Sequence, residues 1–414
     1  MASALALLLL LLPLAPAAPA LALSDAQQLV VEAWRLVNQS YVDPERFSSI
    51  HWRNLRQKAL EQPIRTSVDA YDAIDALLAP LGDPYTKLLR PSDYANLRSS
   101  TQGQVSGVGL QLGLRREDGA VVVIAPVEGS PAAEAKIASG SELLTVDGIP
   151  SQSLGLDGTA ARLRGPDQTR VLLRLRPPQG GEREVELPRR NLVLVPVRSL
   201  LLPGEGGAIG YVRISQFSEP VPRLVREALE ALSAQGSRGL ILDLRNNSGG
   251  LVSAGLAVAN GLLAGQPIVE TVNRDGLSST EQASTAQLYA GPMLTLVNGG
   301  TASASEILAG ALQDNGRSPL FGSRTFGKGL IQTLIPLGDG SGLAVTVARY
   351  RTPGGRDIQN QGIAPDQELP QPEPLAPGQE GDTWLQQAEL WLRNQLISQF
   401  SSELSNQAPA GAAP

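Results

Sequence analysis

The spacing of apolar and polar positions changes twice along the chain, and each change predicts a different kind of element. Between Ser24 and Arg98 the spacing is helical, as in "AQQLVVEAWRLVNQSYVD" and "SVDAYDAIDALLAPLGD", with turn signals at Asp43-Pro44 and Asp83-Pro84. From about Gly103 to Pro188 the apolar runs shorten to "VSGVGLQLGL", "AVVVIAPV", "ELLTVDG", "RVLLRLRP" and "REVELP", divided by Gly and Pro, which predicts a small β-rich module. Beyond Arg189 strand-like and helix-like runs alternate: "GAIGYVRISQF", "PRLVREALEALSAQG", "GLILDLR", "LVSAGLAVANGLLAG", "MLTLVNG". Such alternation predicts an α/β layer structure with its working residues at strand ends. Near the end, "DTWLQQAELWLRNQLISQF" sets Trp384, Ala388, Trp391 and Leu392 on one helical face. That face is expected to pack on the body and not on a membrane, because the opposite face carries little basic charge. The expected units are therefore a helical region over 24–102, a β-rich module over 103–188, an α/β core over 189–370, a linker and helix over 371–403, and a disordered tail over 404–414.

The first 22 residues stand apart. "MASALALLLLLLPLAPAAPALALS" is apolar but broken by Pro13, Pro16 and Pro19, and it ends in an A-x-A pattern at Ala20–Ala22. The prolines cut the uninterrupted stretch below the roughly 20 residues a membrane span needs. Residues 1–22 therefore read as a signal peptide, and the mature protein as exported, although no Lys or Arg precedes the apolar run.

Composition narrows the chemistry. With 414 residues, 42% of them hydrophobic, the chain can bury a large core divided into two or three domains. A net charge of -6, no basic run and only 4% aromatics argue against a nucleic-acid partner and leave protein or peptide substrates open. Cysteine is absent, so disulfides, thiolate nucleophiles and Cys-ligated metals are excluded. The single histidine, His51, lies in a polar, helix-like stretch and reads as structural. No metal or cofactor is expected, and any hydrolytic base must be something other than histidine.

Three strand-end segments carry candidate chemistry: "DLRNNSGG" (243–250), "TASASE" (301–306) and "TFGKGLIQ" (325–332). Each has an ordinary structural reading. Ser303 and Glu306 spell a capping box, the paired glycines a tight turn, Lys328 a solvated lysine and Gln332 a strand residue facing water. Together they supply a hydroxyl, a lysine and a helix mouth where N–H groups converge, the parts of acyl transfer without histidine. The lysine must then be neutral, which requires an apolar setting such as Phe326 and Leu330 offer. "GVGLQLG" (107–113) continues as a strand, which excludes a dinucleotide loop; its first glycines instead suit capture of a peptide's terminal carboxylate by free N–H groups.

On these residues the chain resembles known families. Gly107, Val108, Gly109 and Leu110, with "VEGSPAAEAKIASGSELLTVDG" (127–148), resemble the carboxylate-binding turn and central stretch of a PDZ domain, with Lys136 in place of a usual glycine and Ser141 in place of a usual aspartate. The run from Val297 to Asp366 resembles the carboxyl-terminal processing peptidases, serine proteases of family S41 with a Ser/Lys dyad. The resemblance implies a crotonase/ClpP-like α/β core with an inserted PDZ domain. It makes Ser303 the nucleophile, Lys328, 25 residues later, the base, and Gln332 the residue that orients that lysine. It takes the oxyanion donors from Ala304 and from Gly249 or Gly250, with Gly250 favoured and Ser248 departing from the family's pattern. "YVDPERF", "GDPYTKLLRP" and "GVGLQL" resemble the cyanobacterial and chloroplast branch that trims the C-terminal extension of precursor D1 of photosystem II. This implies a protein substrate with a free C-terminus and a site in the thylakoid lumen or periplasm, near a membrane surface. A general tail-specific protease of envelope proteins and a noncatalytic adaptor that binds C-termini are the alternatives; the oligomeric state is left open.

Overall fold

A computed structural model describes residues 23–101, 104–115, 118–193, 195–284, 286–374 and 377–407; the expected signal peptide lies outside them. The α/β part is built on a six-stranded sheet in the order Val197–Leu202, Ala208–Ile214, Ser237–Asp243, Met293–Val297, Leu320–Gly322, Gln367–Glu368, parallel after the first pair. Successive side chains leave opposite faces of a strand. Ile209, Tyr211, Ile241, Leu294 and Leu296 therefore pack against Trp384, Ala388 and Leu392 of the helix Thr383–Gln407. On the other face Val212, Ile214, Leu240, Leu242 and Val297 meet the helices Val221–Ala234, Val252–Leu262 and Ala304–Asp314. Burial on both faces is why "GLILDLR" and "MLTLVNG" read as continuous apolar runs. The last helix includes residues 404–407, assigned above to the tail, because its sequence contains no Gly or Pro until Pro409 approaches.

A second, five-stranded sheet is organised on Gly342–Arg351, which pairs with Lys87–Leu89, Pro267–Asn273 and Leu330–Pro336. The helices Asp25–Ser40, Trp52–Glu61 and Ser67–Leu78 share one apolar core with Leu343 and Val345 of this sheet and with Leu337, just past the strand Leu330–Pro336. Lys87–Leu89 falls inside the stretch read as helical; three residues are too few to leave a periodic signal. This short strand brings the "GDPYT" turn (82–86) to the second sheet.

The β-rich module is a separate antiparallel sheet, in the order Leu110–Leu114, Val121–Pro126, Glu142–Val146, Arg170–Arg176, Arg183–Pro188. Its alternation is clearest in Arg170–Arg176, where Val171, Leu173 and Leu175 are buried and the arginines exposed. The module joins the rest of the chain through a two-stranded ladder, Gln104–Gly107 with Arg190–Val193. Lys136 adopts φ 53°, left-handed backbone that glycine takes without strain, and the buried Ser141 hydroxyl has no partner among the described residues.

Candidate active site

The carboxyl ends of Ser237–Asp243 and Met293–Val297, the segment 325–332, the "GDPYT" turn and the β-rich module enclose a cavity of about 1110 Å³. Ser303, Lys328, Gln332, Gly249, Gly250, Gly107, Val108, Gly109 and Leu110 all line it. Ala304, the remaining sequence-predicted residue, is fully buried beside Ser303. His51 is exposed and does not line the cavity.

The three hydroxyls at this helix mouth part company. Thr301 Oγ1 donates to the Leu244 carbonyl and Ser305 Oγ to the Asn247 carbonyl, each at 2.9 Å, so both tie the turn to the neighbouring strand end. Ser303 instead lines the cavity; its carbonyl accepts from the Glu306 N–H at 2.8 Å and Glu306 accepts from the Ser303 N–H at 2.9 Å, so the expected capping box pairs these two residues. Ser303 itself is held at φ 57°, ψ -120°, sparsely populated backbone for a residue with a Cβ. Gly316, at φ 62°, supplies the left-handed stop beyond Asn315.

Lys328 points its ammonium at the face of Tyr85, 4.7 Å from the ring centroid. Burial drives its pKa down from the ordinary lysine value to about 8, and Lys87 pushes the same way; Asp83 and Glu306 oppose. Gln332 donates to Thr346 Oγ1 at 3.4 Å, a long contact, and Thr346 in turn donates to Asp83 at 2.7 Å. The contact with Thr346 uses the Gln332 NH₂ alone, and among the described residues no hydrogen bond joins its amide to the lysine.

The N–H groups of the two glycines point to different places. Gly249 N–H is taken by Asn247 Oδ1 at 2.9 Å. The Gly249 carbonyl accepts from Phe217 and the Phe217 carbonyl from Leu251, so the Gly250 N–H faces away from Phe217. Among the described residues neither it nor the Ala304 N–H has a protein acceptor. Both glycines are needed for close approach. A methyl on Gly249 (φ 100°) would stand 2.8 Å from Ser303 Cβ, and one on Gly250 (φ 132°) 2.0 Å from the Phe217 carbonyl oxygen.

At the far wall, the Val108 carbonyl accepts from Ala132 and the Gly109 carbonyl from Val127. Tied from behind in this way, the turn leaves the Val108 and Gly109 N–H groups without a protein acceptor among the described residues. The module's edge strand also reaches the segment 325–332, since a methyl on Gly113 would meet the Phe326 ring at 2.9 Å.

The roles of four residues escaped sequence reasoning. Glu306, fully buried, accepts from the Ser303, Gly327 and Lys328 N–H groups and from the Thr325 hydroxyl, at 2.5–2.9 Å. Burial pushes its carboxyl above the usual range, and these donors pull against that shift. Asp83 and Tyr85 arrive from the N-terminal region, too distant in sequence to be placed beforehand. Arg245, inside "DLRNNSGG", is fully buried between Asp243 (2.5 Å) and Asp382 (2.6 Å) and anchors the strand end that carries Gly250. An arginine and an aspartate flanking an apolar residue were its only local signal.

Comparison with known proteins places this site in context. Residues 208–369 match the description of peptidase family S41. The chain is 45% identical over 387 residues to a carboxyl-terminal-processing protease of Picosynechococcus, covering 92% of this chain and 93% of that protein. It is 41% identical to the chloroplastic C-terminal processing peptidase of Tetradesmus obliquus, covering 87% and 81%. Its fold matches the solved structure of a photosystem II D1 C-terminal processing protease with a TM-score of 0.75 at 39% identity, over 86% of this chain and 96% of that one.

Proposed function

Because the chain belongs to peptidase family S41 and is a serine-type carboxyl-terminal-processing peptidase, we propose that Ser303 and Lys328 form its catalytic dyad and that precursor D1 is its substrate. The observation that carries the dyad is a lysine driven toward neutrality by burial, lining the same cavity as the serine at the mouth of a helix. Lys328 takes the Ser303 proton as Oγ attacks the scissile carbonyl, and the oxyanion is received by the Ala304 and Gly250 N–H groups. Lys328 then gives that proton to the leaving amine. In deacylation it takes a proton from water, and the proton returns to Ser303 as the acyl bond breaks. Gln332 orients the lysine once substrate displaces the resting contacts.

The module over 103–188 acts as a PDZ domain inserted in a crotonase/ClpP-like core, holding the substrate's terminal carboxylate on the Val108 and Gly109 N–H groups. An exported enzyme of the thylakoid lumen or periplasm is the matching location, supported by the relatives and by the apolar N-terminal segment. The test is a pair of peptides ending in a free or an amidated C-terminus, incubated with the enzyme and read by mass spectrometry. The free form is expected to be cleaved and the amidated form spared. A D1-tail peptide should exceed unrelated tails; equal cleavage of all would overturn D1 and favour a general tail-specific protease.

The dyad also fixes a pH dependence. Only neutral Lys328 can accept a proton, so kcat/KM should rise with pH and level off above about 8, the lysine's lowered pKa. A rate profile measured from pH 6 to 9.5 that stays flat would contradict lysine as base.

A further inference from the structure

Ser303 and Lys328 lie in different layers, one heading a helix beneath the six-stranded sheet, the other leading into the second sheet. Among the described residues no hydrogen bond joins their side chains. Two buried groups grip the main chain of both. On the N–H side, Glu306 Oε2 accepts from Ser303 and from Lys328, both at 2.9 Å. On the carbonyl side stands Tyr350, 1% exposed, whose hydroxyl lies 2.6 Å from the Lys328 carbonyl and 3.1 Å from the Ser303 carbonyl.

A phenol has one hydrogen to give. The Ser303 carbonyl already accepts from the Glu306 and Ile307 N–H groups, at 2.8 and 3.0 Å. The shorter contact identifies the Lys328 carbonyl as the main acceptor, with Ser303 as the weaker branch of a three-centre bond. The ring is also fastened through its backbone, since the Tyr350 N–H donates to the Gly329 carbonyl at 3.0 Å. Burial and the Glu306 charge hold the phenol's pKa well above its ordinary value, so it remains a donor throughout the working range.

We propose that Tyr350 is a positioning residue, whose hydroxyl fixes the main chain of the base against that of the nucleophile, while Glu306 does the same from the opposite edge. The proposal rests on the Ser303/Lys328 reading. Tyr350 touches neither substrate nor the reacting atoms; it sets how far the lysine must reach, and so affects the rate of proton transfer rather than substrate binding. Small displacements of reacting groups cost on the order of 100-fold in rate.

The test compares full-length enzyme, Ser303→Ala, Tyr350→Phe and Tyr289→Phe in peptide cleavage. Tyr289 is the control, a partly buried phenol that donates to the Pro292 carbonyl at 3.1 Å and lies outside the catalytic cavity. Turnover by Ser303→Ala would refute the dyad itself, independently of Tyr350. With the dyad intact, Tyr350→Phe should lower kcat by about 10- to 100-fold with KM within about twofold. The apparent pKa of the base should also move by at least about half a unit. Tyr289→Phe should melt at lower temperature yet keep kcat and pKa. Assays are repeated in a stabilising osmolyte, which repairs a folding defect but not a misplaced base. Recovery of Tyr350→Phe to the unsubstituted rate there, retention of kcat and pKa without osmolyte, or failure to fold even with it would each overturn the proposal.

Discussion

Ser303→Ala and Lys328→Ala should each reduce kcat/KM by about three to six orders of magnitude while leaving secondary structure and substrate binding intact. The members of such a unit act in one proton transfer, so losing either costs about as much as losing both. The double variant should therefore be no slower than the worse single one. Lys328→Arg should fail equally, because guanidinium stays charged at every accessible pH. Lys328→Met separates chemistry from stability. Protonated Lys328 is disfavoured in the fold, its pKa falling to about 8 from 10.5, so the unfolded chain binds the extra proton more readily. At pH 7 this costs the native state up to about 3 kcal/mol, at roughly 1.4 kcal/mol per pKa unit. Methionine removes that cost, so the inactive variant should melt at higher temperature than the enzyme at pH 7. The difference should shrink as pH rises from about 8 toward 10.5. Appreciable turnover in Lys328→Met, or a lower melting temperature at pH 7, would count against a buried, pKa-shifted base.

Glu306→Gln is expected to disable the site almost as thoroughly, although Glu306 touches no reacting atom. Both of its oxygens accept two hydrogen bonds: Thr325 Oγ1 and Gly327 N–H at one, Ser303 N–H and Lys328 N–H at the other. An amide has a single oxygen. Turned one way, its NH₂ faces the Ser303 and Lys328 N–H groups; turned the other, it faces the Gly327 N–H and the Thr325 hydroxyl, which can accept, so at least one buried N–H loses its acceptor. At about 1–3 kcal/mol for each unsatisfied buried group, the fold should lose roughly 1–6 kcal/mol. The Ser303 turn, strained at φ 57°, should relax with it. Glu306→Asp keeps the charge but shortens the reach and should fall between. Chemical denaturation alongside peptide cleavage checks the pair; unchanged kcat/KM in Glu306→Gln at a pH where it is folded would show that the carboxylate does not hold the dyad.

Much of this site was readable from the chain because its signals are local. The helix after Ser303, the stop at Gly316, the runs of the six-stranded sheet and the glycines of "GVGL" and "SGG" are set by neighbouring residues and by backbone sterics, and a local pattern expresses both. Composition did further work, since one histidine and no cysteine pointed the expected base toward lysine. Resemblance then selected Ser303 over Thr301 and Ser305, a choice the residues alone left open. The structure gives it a physical counterpart, in that Thr301 and Ser305 spend their hydroxyls on the Leu244 and Asn247 carbonyls.

What the linear order could not hold is every relation made across layers. That Tyr85 covers Lys328, that Gly250 and not Gly249 keeps its N–H free, and that Glu306 and Tyr350 grip the same two residues all depend on strand register and on which faces meet. Hydrophobic burial fixes those only once the whole chain has collapsed. The sequence by itself determined most element types, the residue chemistry and the family; the tertiary structure alone decided which groups share a cavity. The reason is that a pKa shift and a pair of hydrogen bonds to distant main chain are properties of surroundings, and surroundings come from residues far apart in the chain.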